Sequence, residues 1–389
     1  MTEIKEDSVI SFYPLDISEQ DGEWIVGRTD IGSFLSLPEV GVEAIQLLQE
    51  GLTIQEAKEK LVQQYGEEVE LEDFVETLRE VGFVHKIDET IVEVEHEEIH
   101  AYFKGLKQEQ AQILFSIPAY ILYGVLMVIA AVILIRNPGF LPRFSDFMFT
   151  DSYTAVLLTT FVVGWILVFK HEFYHLAAAK SFGLNAQFRI SHRLYFVVAE
   201  TDITSVWTLP RNKRYRVYFA GIISDLVTIS IFIIISWIFK ENNYSVLRFF
   251  KTLILIQTIS LVWQCLFFMQ TDVYYIITNF FDCKNLFGDT TAYISNVLHR
   301  IFNIFSYNDL SVVPEREMRI IKIYSIFFVL GNFAALGILI FYILPEVVEF
   351  LLKVSEKATG SIDSITFLTI LIINVALLVR SIIRQRRET

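Results

Sequence analysis

Two histidines, His171 and His175, lie four residues apart in the run HEFYH, with Glu172 next to the first. Residues four positions apart share one face of an α-helix, so two imidazoles can bind a single Zn²⁺ while the glutamate activates a water. The run continues an apolar stretch, residues 153–169, that can cross a bilayer. Ionisable groups are costly in lipid and mark functional sites there. These residues therefore predict a hydrolytic metal centre within a membrane helix.

A second HExxH, formed by His96, Glu97 and His100, lies in a different setting. Nearly every other residue between Asp88 and Lys107 is charged or polar, and this Glu-rich composition raises the odds of a chance match. An acidic, partly helical linker is the favoured interpretation, with adventitious or regulatory metal binding as the alternative. The same motif thus predicts a catalytic site only where its surroundings are apolar.

The composition is that of an integral membrane protein. Hydrophobic residues make up 53% of 389 positions, Phe alone occurs 34 times, and the mean hydropathy is +0.46. Residues 1–105 carry 26 acidic and 7 basic side chains, whereas residues 106–389 carry 19 and 25. An acidic soluble part therefore precedes a mildly basic membrane part, and the acidic surface favours a peptide or protein partner over nucleic acid.

Neither the N-terminal residues nor the cysteine content suggests secretion. Residues 1–6 lack a basic segment and an apolar core, so we expect no cleavable signal peptide, and the first apolar span has to direct insertion. Cys265 and Cys283 have neither metal-ligand nor disulfide-framework spacing.

Residues 1–86 are expected to form a small α+β domain of winged-helix type, followed by an acidic linker over residues 87–112. Thr53 and Glu56 match a capping box at the start of a helix. The predicted strands are residues 24–27, 33–37 and 82–84, and the predicted helices are residues 38–49, 53–65 and 71–81.

Residues 113–389 are predicted to form a multi-pass α-helical membrane domain. Six stretches have the length of about 20 residues that crosses a bilayer, namely 113–135, 153–176, 215–239, 250–278, 321–344 and 363–383. Residues 181–210 are too polar to cross and predict a β-hairpin at the membrane face. The loop 180–216 carries seven Lys or Arg, which places that loop, both termini and the HEFYH end of the second span in the cytosol.

Catalytic zinc takes three protein ligands and leaves a position for water, so a third ligand has to come from another segment. Two membrane acids qualify by depth, Asp225 in the third span and Asp272 late in the fourth. Gln264 and Asn279 are candidate substrate contacts, with interhelical packing as the alternative. Surface or interface positions are expected for four other side chains: His192, His299, Tyr274 and Tyr275.

Residues 150–290 resemble the site-2 protease family of intramembrane zinc metalloproteases, of the peptide zinc metalloprotease type. The runs KHEFYHLAAAKSFGLNA, LPRNKRYRVYFAGIISD and MQTDVYYIITNFFDCKNL are similar to the HExxH helix, the Ala-Gly helix and the Asp-Gly motif of that family. The resemblance implies that Zn²⁺ is held by His171, His175 and Asp272. It also implies Glu172 as the catalytic acid and base.

Three positions depart from the family pattern. Val273 stands where the family has Gly, Ile222 where it has Pro, and Asp225 where many members have Asn. Val273 puts the expected helix break at risk, because a β-branched residue resists backbone conformations that Gly permits. Asp225 is left with three roles: orienting a ligand, contacting substrate, or making an interhelical contact.

The N-terminal runs LPEVGVEAIQLLQEGLTIQEAKEKL and VELEDFVETLREVGFV resemble the PqqD-like family, the pyrroloquinoline quinone chaperones, which includes leader-peptide recognition domains. The resemblance implies that an extended leader is bound as an added strand at a sheet edge. A generic winged-helix adaptor or dimerisation module is the alternative.

Together, the two resemblances imply a bacterial plasma-membrane metalloendopeptidase that cleaves a ribosomally made, modified precursor peptide during maturation or export. An ABC-type exporter is a candidate partner. Two other functions stay open: a regulated intramembrane protease that releases a membrane-anchored factor, and a non-enzymatic peptide transporter or immunity protein.

Overall fold

The computed structural model describes residues 4–388 except 21–22, 29–30, 32, 67–68, 93–104, 242–243, 304, 312, 346 and 349–361. The second HExxH, residues 96–100, lies outside the described residues. Contacts divide the chain into two units. The first contains residues 1–112, 179–188 and 201–214, and the second contains the remainder.

In its described residues, the first unit holds two three-stranded sheets and four helices. Short strand-forming segments of its sequence are followed by segments with the pattern of amphipathic helices. Its sheets have the strand orders β2-β3-β4 and β1-β5-β6, and the pairs joined in each are antiparallel. Its strands are β1 (Ile10–Phe12), β2 (Asp16–Gln20), β3 (Glu23–Arg28), β4 (Ser33–Leu37), β5 (Val84–Ile87) and β6 (Thr90–Ile91). Its helices are α1 (Glu39–Gln49), α2 (Ile54–Tyr65), α3 (Leu71–Glu80) and α4 (Gln108–Leu114).

The predicted capping box is present. The Thr53 hydroxyl accepts a hydrogen bond from the Glu56 amide, the Glu56 carboxylate accepts one from the Thr53 amide, and Gly66 ends α2 in the left-handed conformation. The apolar faces of α1, α2 and α3 pack into one core with fully buried residues such as Ile45, Leu61 and Leu78. The helical pattern thus predicts both the α2 boundary and the core of this unit.

Two later segments complete the first unit. Thr204–Thr208 forms a 3₁₀ turn that contacts β3 and β4, and its Val206 side chain is fully buried. The Ser205 hydroxyl donates to the Asn185 carbonyl at 2.6 Å. The side-chain amides of Gln108 and Gln112, both in α4, donate to the Ser181 carbonyl at 3.3 and 3.1 Å. The unit is therefore built from three separated stretches of chain.

In the described residues, six helices are long and apolar enough to cross a membrane. They cover Gln108–Arg136, Tyr153–Ser181, Arg211–Phe239, Tyr244–Trp263, Glu315–Ile343 and Ile362–Arg386. These stretches contain α5 (Ile117–Arg136), α6 (Tyr153–Ser181), α7 (Arg211–Tyr218), α8 (Ala220–Phe239), α9 (Tyr244–Trp263), and two helices nearer the C-terminus described below. Helix α8 packs against both α5 and α9 around Ala130, Ile233 and Ile254. A membrane-spanning protein is therefore indicated.

The prediction of one continuous span over residues 250–278 is wrong. Helix α9 ends at Trp263, a 3₁₀ turn follows at Phe267–Met269, and a new helix, α10, covers Asp272–Phe281. Residues 265–269 within the break are apolar, so hydropathy includes them in the predicted span. The chain then continues through α11 (Leu286–Phe302), α12 (Glu315–Ile338) and α13 (Ile362–Glu388).

The predicted hairpin is present as β7 (Gln187–Arg193) and β8 (Phe196–Asp202), which form a two-stranded sheet. His192 is not a simple surface residue, because its Nδ1 lies 2.9 Å from the Ser381 hydroxyl on α13. The Tyr195 hydroxyl donates to the Ala335 carbonyl on α12 at 2.8 Å. These bonds tie the hairpin to the two C-terminal helices.

Candidate metal centre

Helix α6 and the first residue of α10 bring the three predicted ligands together. The Nε2 atoms of His171 and His175 lie 3.2 Å apart, because four residues advance a helix by about one turn. Asp272 Oδ2 lies 3.1 Å from each of them. Both histidines are buried, so this polar group is enclosed. The cluster has the side chains needed to hold a metal ion.

The geometry of the group suits a small tetrahedral ion. Ligand atoms about 2.0–2.1 Å from tetrahedral zinc lie roughly 3.3–3.4 Å from one another. The observed separations of 3.1–3.2 Å are close to that edge. Two imidazole nitrogens and one carboxylate oxygen are also a donor set that zinc uses.

Gly221 in α8 leaves room for the ion. A Cβ built on this residue would lie 2.4 Å from the Nε2 atoms of both His171 and His175. Any side chain at this position would fill the space that the two nitrogens face. The close approach of the two histidines therefore explains why a Gly follows Ala220 in this helix.

Two acceptors fix the orientation of the imidazoles. The Nδ1 atom of His171 lies 2.8 Å from Asp225 Oδ2, and that of His175 lies 2.8 Å from the Val217 carbonyl. A carbonyl can only accept, so a neutral His175 carries its proton on Nδ1 and presents an Nε2 lone pair to the cluster. Hydrogen bonds of this kind orient metal ligands and raise their basicity.

Asp225 contacts His171, a position that fits both the ligand-orienting role and the interhelical role left open by the sequence. Its side chain is fully buried, and its second oxygen, Oδ1, lies 3.2 Å from Lys170 Nζ. Lys170 also donates to the Ser224 carbonyl at 3.1 Å and the Thr228 hydroxyl at 2.6 Å. Lys170 was missed by the sequence reasoning, although a lysine inside an apolar span is itself a functional signal.

Comparison with known proteins adds no assignment. No family model, no curated protein and no solved structure matches this chain. The function therefore has to be argued from the geometry around His171, His175 and Asp272.

The break before α10 aims Asp272 at the histidines. Gln270 adopts the left-handed conformation with φ 55°, and Thr271 is extended. The Thr271 hydroxyl donates to the Gln264 carbonyl at 2.7 Å, and the Asp272 amide donates to Gln264 Oε1 at 3.3 Å. Val273 therefore lies inside α10 rather than at the break, so a Gly is not needed there.

Gln264 lies beside the cluster, with its amide nitrogen 3.4 Å from His171 Nε2. Asn279 lies elsewhere: seven residues beyond Asp272, it is about 10 Å farther along α10. It is buried, as expected for an interhelical contact. Of the two candidate substrate contacts, only Gln264 is therefore placed near the ligands.

The expectation of an interface position is wrong for Tyr274. Its side chain is buried in a cluster with Leu286 and Tyr324, and its hydroxyl accepts from the Phe287 amide at 3.0 Å. The residue falls on the inner face of α10, a placement that depends on tertiary packing. His299 is half-buried, and its Nδ1 lies 2.5 Å from the Phe305 carbonyl.

Glu172, next to the first ligand, lines a cavity of about 420 Å³. The wall of the cavity includes His171 and Gln264, so the cavity adjoins the ligand cluster. Strand β8 contributes its residues from Phe196 to Ala199. A polypeptide segment thus has space beside the group that could hold a metal.

Proposed function

We propose that the chain is an intramembrane zinc metalloendopeptidase. The observation that carries this proposal is the 3.1–3.2 Å group of His171, His175 and Asp272, with Glu172 beside it on the wall of a cavity. Three ligands with an adjoining cavity are typical of catalytic zinc, whereas structural zinc sites are closed by four protein ligands.

A Zn²⁺ ion held by these ligands would polarise the scissile carbonyl and lower the pKa of a coordinated water to about 7. Glu172 takes a proton from the attacking water and passes it to the leaving amine. The hydroxyl oxygen joins the carbonyl carbon and the C–N bond breaks, so one water is consumed per cleavage. Gln264 positions Asp272 through its amide oxygen, and Asp225 positions His171.

The proposed substrate is a leader-bearing precursor peptide, ribosomally made and modified, that is cut during maturation or export. Support comes from the sheet β2-β3-β4 beside α1, α2 and α3, an arrangement suited to binding a leader as an added strand. In the catalytic unit, β8 lines the cavity and can present backbone groups to an extended substrate. An ABC-type exporter would receive the product.

The proposed location is the bacterial plasma membrane, with both termini in the cytosol. An even number of spans places both termini on one side. Positive charge in the loop 180–216 assigns that side to the cytosol.

The test is cleavage of a candidate precursor peptide by the full chain in proteoliposomes, read by mass spectrometry. The wild type should release two fragments whose masses together equal the precursor plus one water. Glu172→Gln should retain about one zinc per chain and release no fragments, because the substitution removes the base but no ligand. Glu109→Gln, at an exposed position of α4, is the matched control and should cleave like the wild type.

Equal cleavage by wild type and Glu172→Gln would refute the proposed chemistry, and a wild type without stoichiometric zinc would favour a non-enzymatic role. The same peptide without its leader should be cut much more slowly. An unchanged rate on that peptide would contradict leader recognition and favour a regulated protease that acts on membrane-anchored factors.

A further inference from the structure

The cavity beside Glu172 extends well away from the metal ligands. Its wall includes Thr160 and Gly164 in α6, which lie twelve and eight residues before Glu172. At a rise of about 1.5 Å per residue, Gly164 is about 12 Å from Glu172 along the helix. The cavity is therefore an elongated slot that begins at the proposed reaction centre and continues along α6.

The length of the slot can be compared with that of an extended peptide. Strands advance about 3.3 Å per residue, so 12 Å corresponds to three or four residues of substrate. Strand β8 borders the same slot with four consecutive residues, Phe196–Ala199. A substrate whose scissile bond lies at Glu172 thus brings a residue three or four positions away to the level of Gly164.

Aromatic side chains surround this far part of the slot. Phe161 and Trp165 in α6 line it; nearer the histidines, Trp263 in α9 lies next to Gln264 and packs edge-to-face on Phe196 of β8, with ring centroids 4.7 Å apart. A volume of about 420 Å³ is within the range of cavities that bind drug-sized ligands, about 300–1,000 Å³. Walls of this kind favour a large apolar group over water.

Gly164 keeps the slot wide. In the part of the chain that the structure describes, a Cβ built on Gly164 meets no heavy atom of another segment within 4 Å. Because Gly164 also lines the slot, the space that a larger residue would fill is part of the slot.

The geometry points to a specificity pocket: the slot accepts a large apolar side chain three or four residues from the scissile bond, and Gly164 sets the size it admits. This inference rests on the proposed peptidase function. A peptide is the occupant we infer, rather than a lipid acyl chain, because His171 and the Glu172 carboxylate form part of the same wall. A hydrocarbon tail would gain nothing from those polar groups.

The first measurement is kcat/KM for a set of peptides that carry the candidate leader followed by about 20 Ala, Ser and Leu residues, in which one position at a time is Ala, Leu or Trp. The wild type should prefer Leu or Trp over Ala at a position three or four residues from the cut. Gly164→Leu should lower kcat/KM for the bulky peptide at least 10-fold and leave the Ala peptide within about 2-fold, as expected when a pocket loses space for a few methylenes.

Gly124→Leu is the matched control. Gly124 lies in α5, its added Cβ also meets no described heavy atom of another segment within 4 Å, and it does not line the slot. Both substitutions replace a helical Gly with a good helix former, so neither is expected to weaken its helix. Gly124→Leu should keep the wild-type preference. A wild type without size preference, or an equal loss on all peptides in Gly164→Leu, would overturn the inference.

A second measurement separates this inference from the peptidase proposal. The Glu172→Gln chain is irradiated with a benzophenone-bearing peptide of the same set. The photoreactive residue stands at the preferred position or at each position in turn. Adducts should map to Phe161 or Trp165, persist with Gly124→Leu added, and fall at least 10-fold with Gly164→Leu added. Adducts without cleavage by the wild type would reject the peptidase proposal and keep the pocket. If phospholipid, but not unlabelled peptide, displaced the photoreactive peptide, the slot would be assigned to lipid.

Discussion

Asp225 links His171, one of the proposed metal ligands, to Lys170 of the same helix. One carboxylate oxygen faces His171 Nδ1 at 2.8 Å and the other faces Lys170 Nζ at 3.2 Å. A buried carboxylate is stable only when partners replace its water, and here a cation and an imidazole both do so. Because Asp225 is fixed from both sides, the imidazole of His171 is held in one orientation before any metal arrives.

Replacing Asp225 should weaken metal binding without removing a ligand. Asp225→Ala deletes the hydrogen bond to His171 and leaves Lys170 without its carboxylate, so zinc affinity should fall about 10–100-fold. Asp225→Asn keeps an oxygen acceptor for His171 and should lose less. Competition with a chelating dye measures both.

Thr228→Val serves as the control for the two Asp225 variants. It removes one hydrogen-bond partner of Lys170 and leaves the hydrogen bond between His171 and Asp225 in place. Its zinc affinity should match the wild type. An Asp225→Ala chain that binds zinc as tightly as the wild type would show that the contact only packs helices.

At the scale of elements, the turn between α9 and α10 decides where the third ligand points. The left-handed residue there is Gln270, two positions before Asp272. Non-Gly residues in this conformation store about 1–3 kcal/mol unless their surroundings compensate. The Thr271 and Asp272 bonds to Gln264 help to hold this turn, as does the Tyr324 hydroxyl, which donates to the Phe267 carbonyl at 3.1 Å.

Substitution of Gln270 should therefore report on the turn. Gln270→Val should reduce zinc occupancy and lower stability by about 1 kcal/mol, because a β-branched side chain resists positive φ. Gln270→Gly should keep both, since Gly adopts this conformation without steric cost. Metal content and thermal unfolding in detergent are the measurements.

Gln63→Val, at an exposed position in the interior of α2, controls for the change of side chain alone. It should leave zinc occupancy unchanged. If Gln270→Val also retained full zinc, the position of Asp272 would have to be fixed by α10 packing instead of by the turn.

Local patterns predicted the elements well where one rule dominates. Thr53 with Glu56 marked the start of α2, alternating β-formers marked β7 and β8, and His171 with His175 marked one helical face. The short strand β1 and the polar strand β2 were not predicted, because three residues carry little pattern and DISEQ has few β-formers. Strand β1 pairs with the distant strand β5, whereas β2 pairs with β3, the next strand along the chain.

The parts of the site that depend on distant contacts were not predictable in this way. Lys170 acquires its role only because α8 brings Asp225 to it from 55 residues away. The sequence offers Gln264 as a candidate substrate contact, but its bond to the Asp272 amide depends on a helix break that the apolar residues 265–269 conceal. Asp272 itself was chosen over Asp225 by resemblance, since the depth of each residue permitted either.

For the whole molecule, the six apolar helices lead to a testable topology. Reporter fusions at each end of the chain should both give the cytosolic signal, because an even number of crossings returns the chain to its starting side and the loop 180–216 is basic. A reporter inserted between Asn137 and Ser152, after the first crossing, should give the opposite signal. Termini on opposite sides would require an odd number of crossings.

The three-part first unit determines how the chain can be dissected. Thr204–Thr208 packs on β3 and β4 and begins two residues after β8 ends. Cutting away residues 1–86 would therefore remove β3 and β4 from Val206, whose side chain is fully buried in the intact chain. The N-terminal domain therefore cannot be exchanged as a separate piece. A functional transplant between related chains would have to carry residues 179–188 and 201–214 with it.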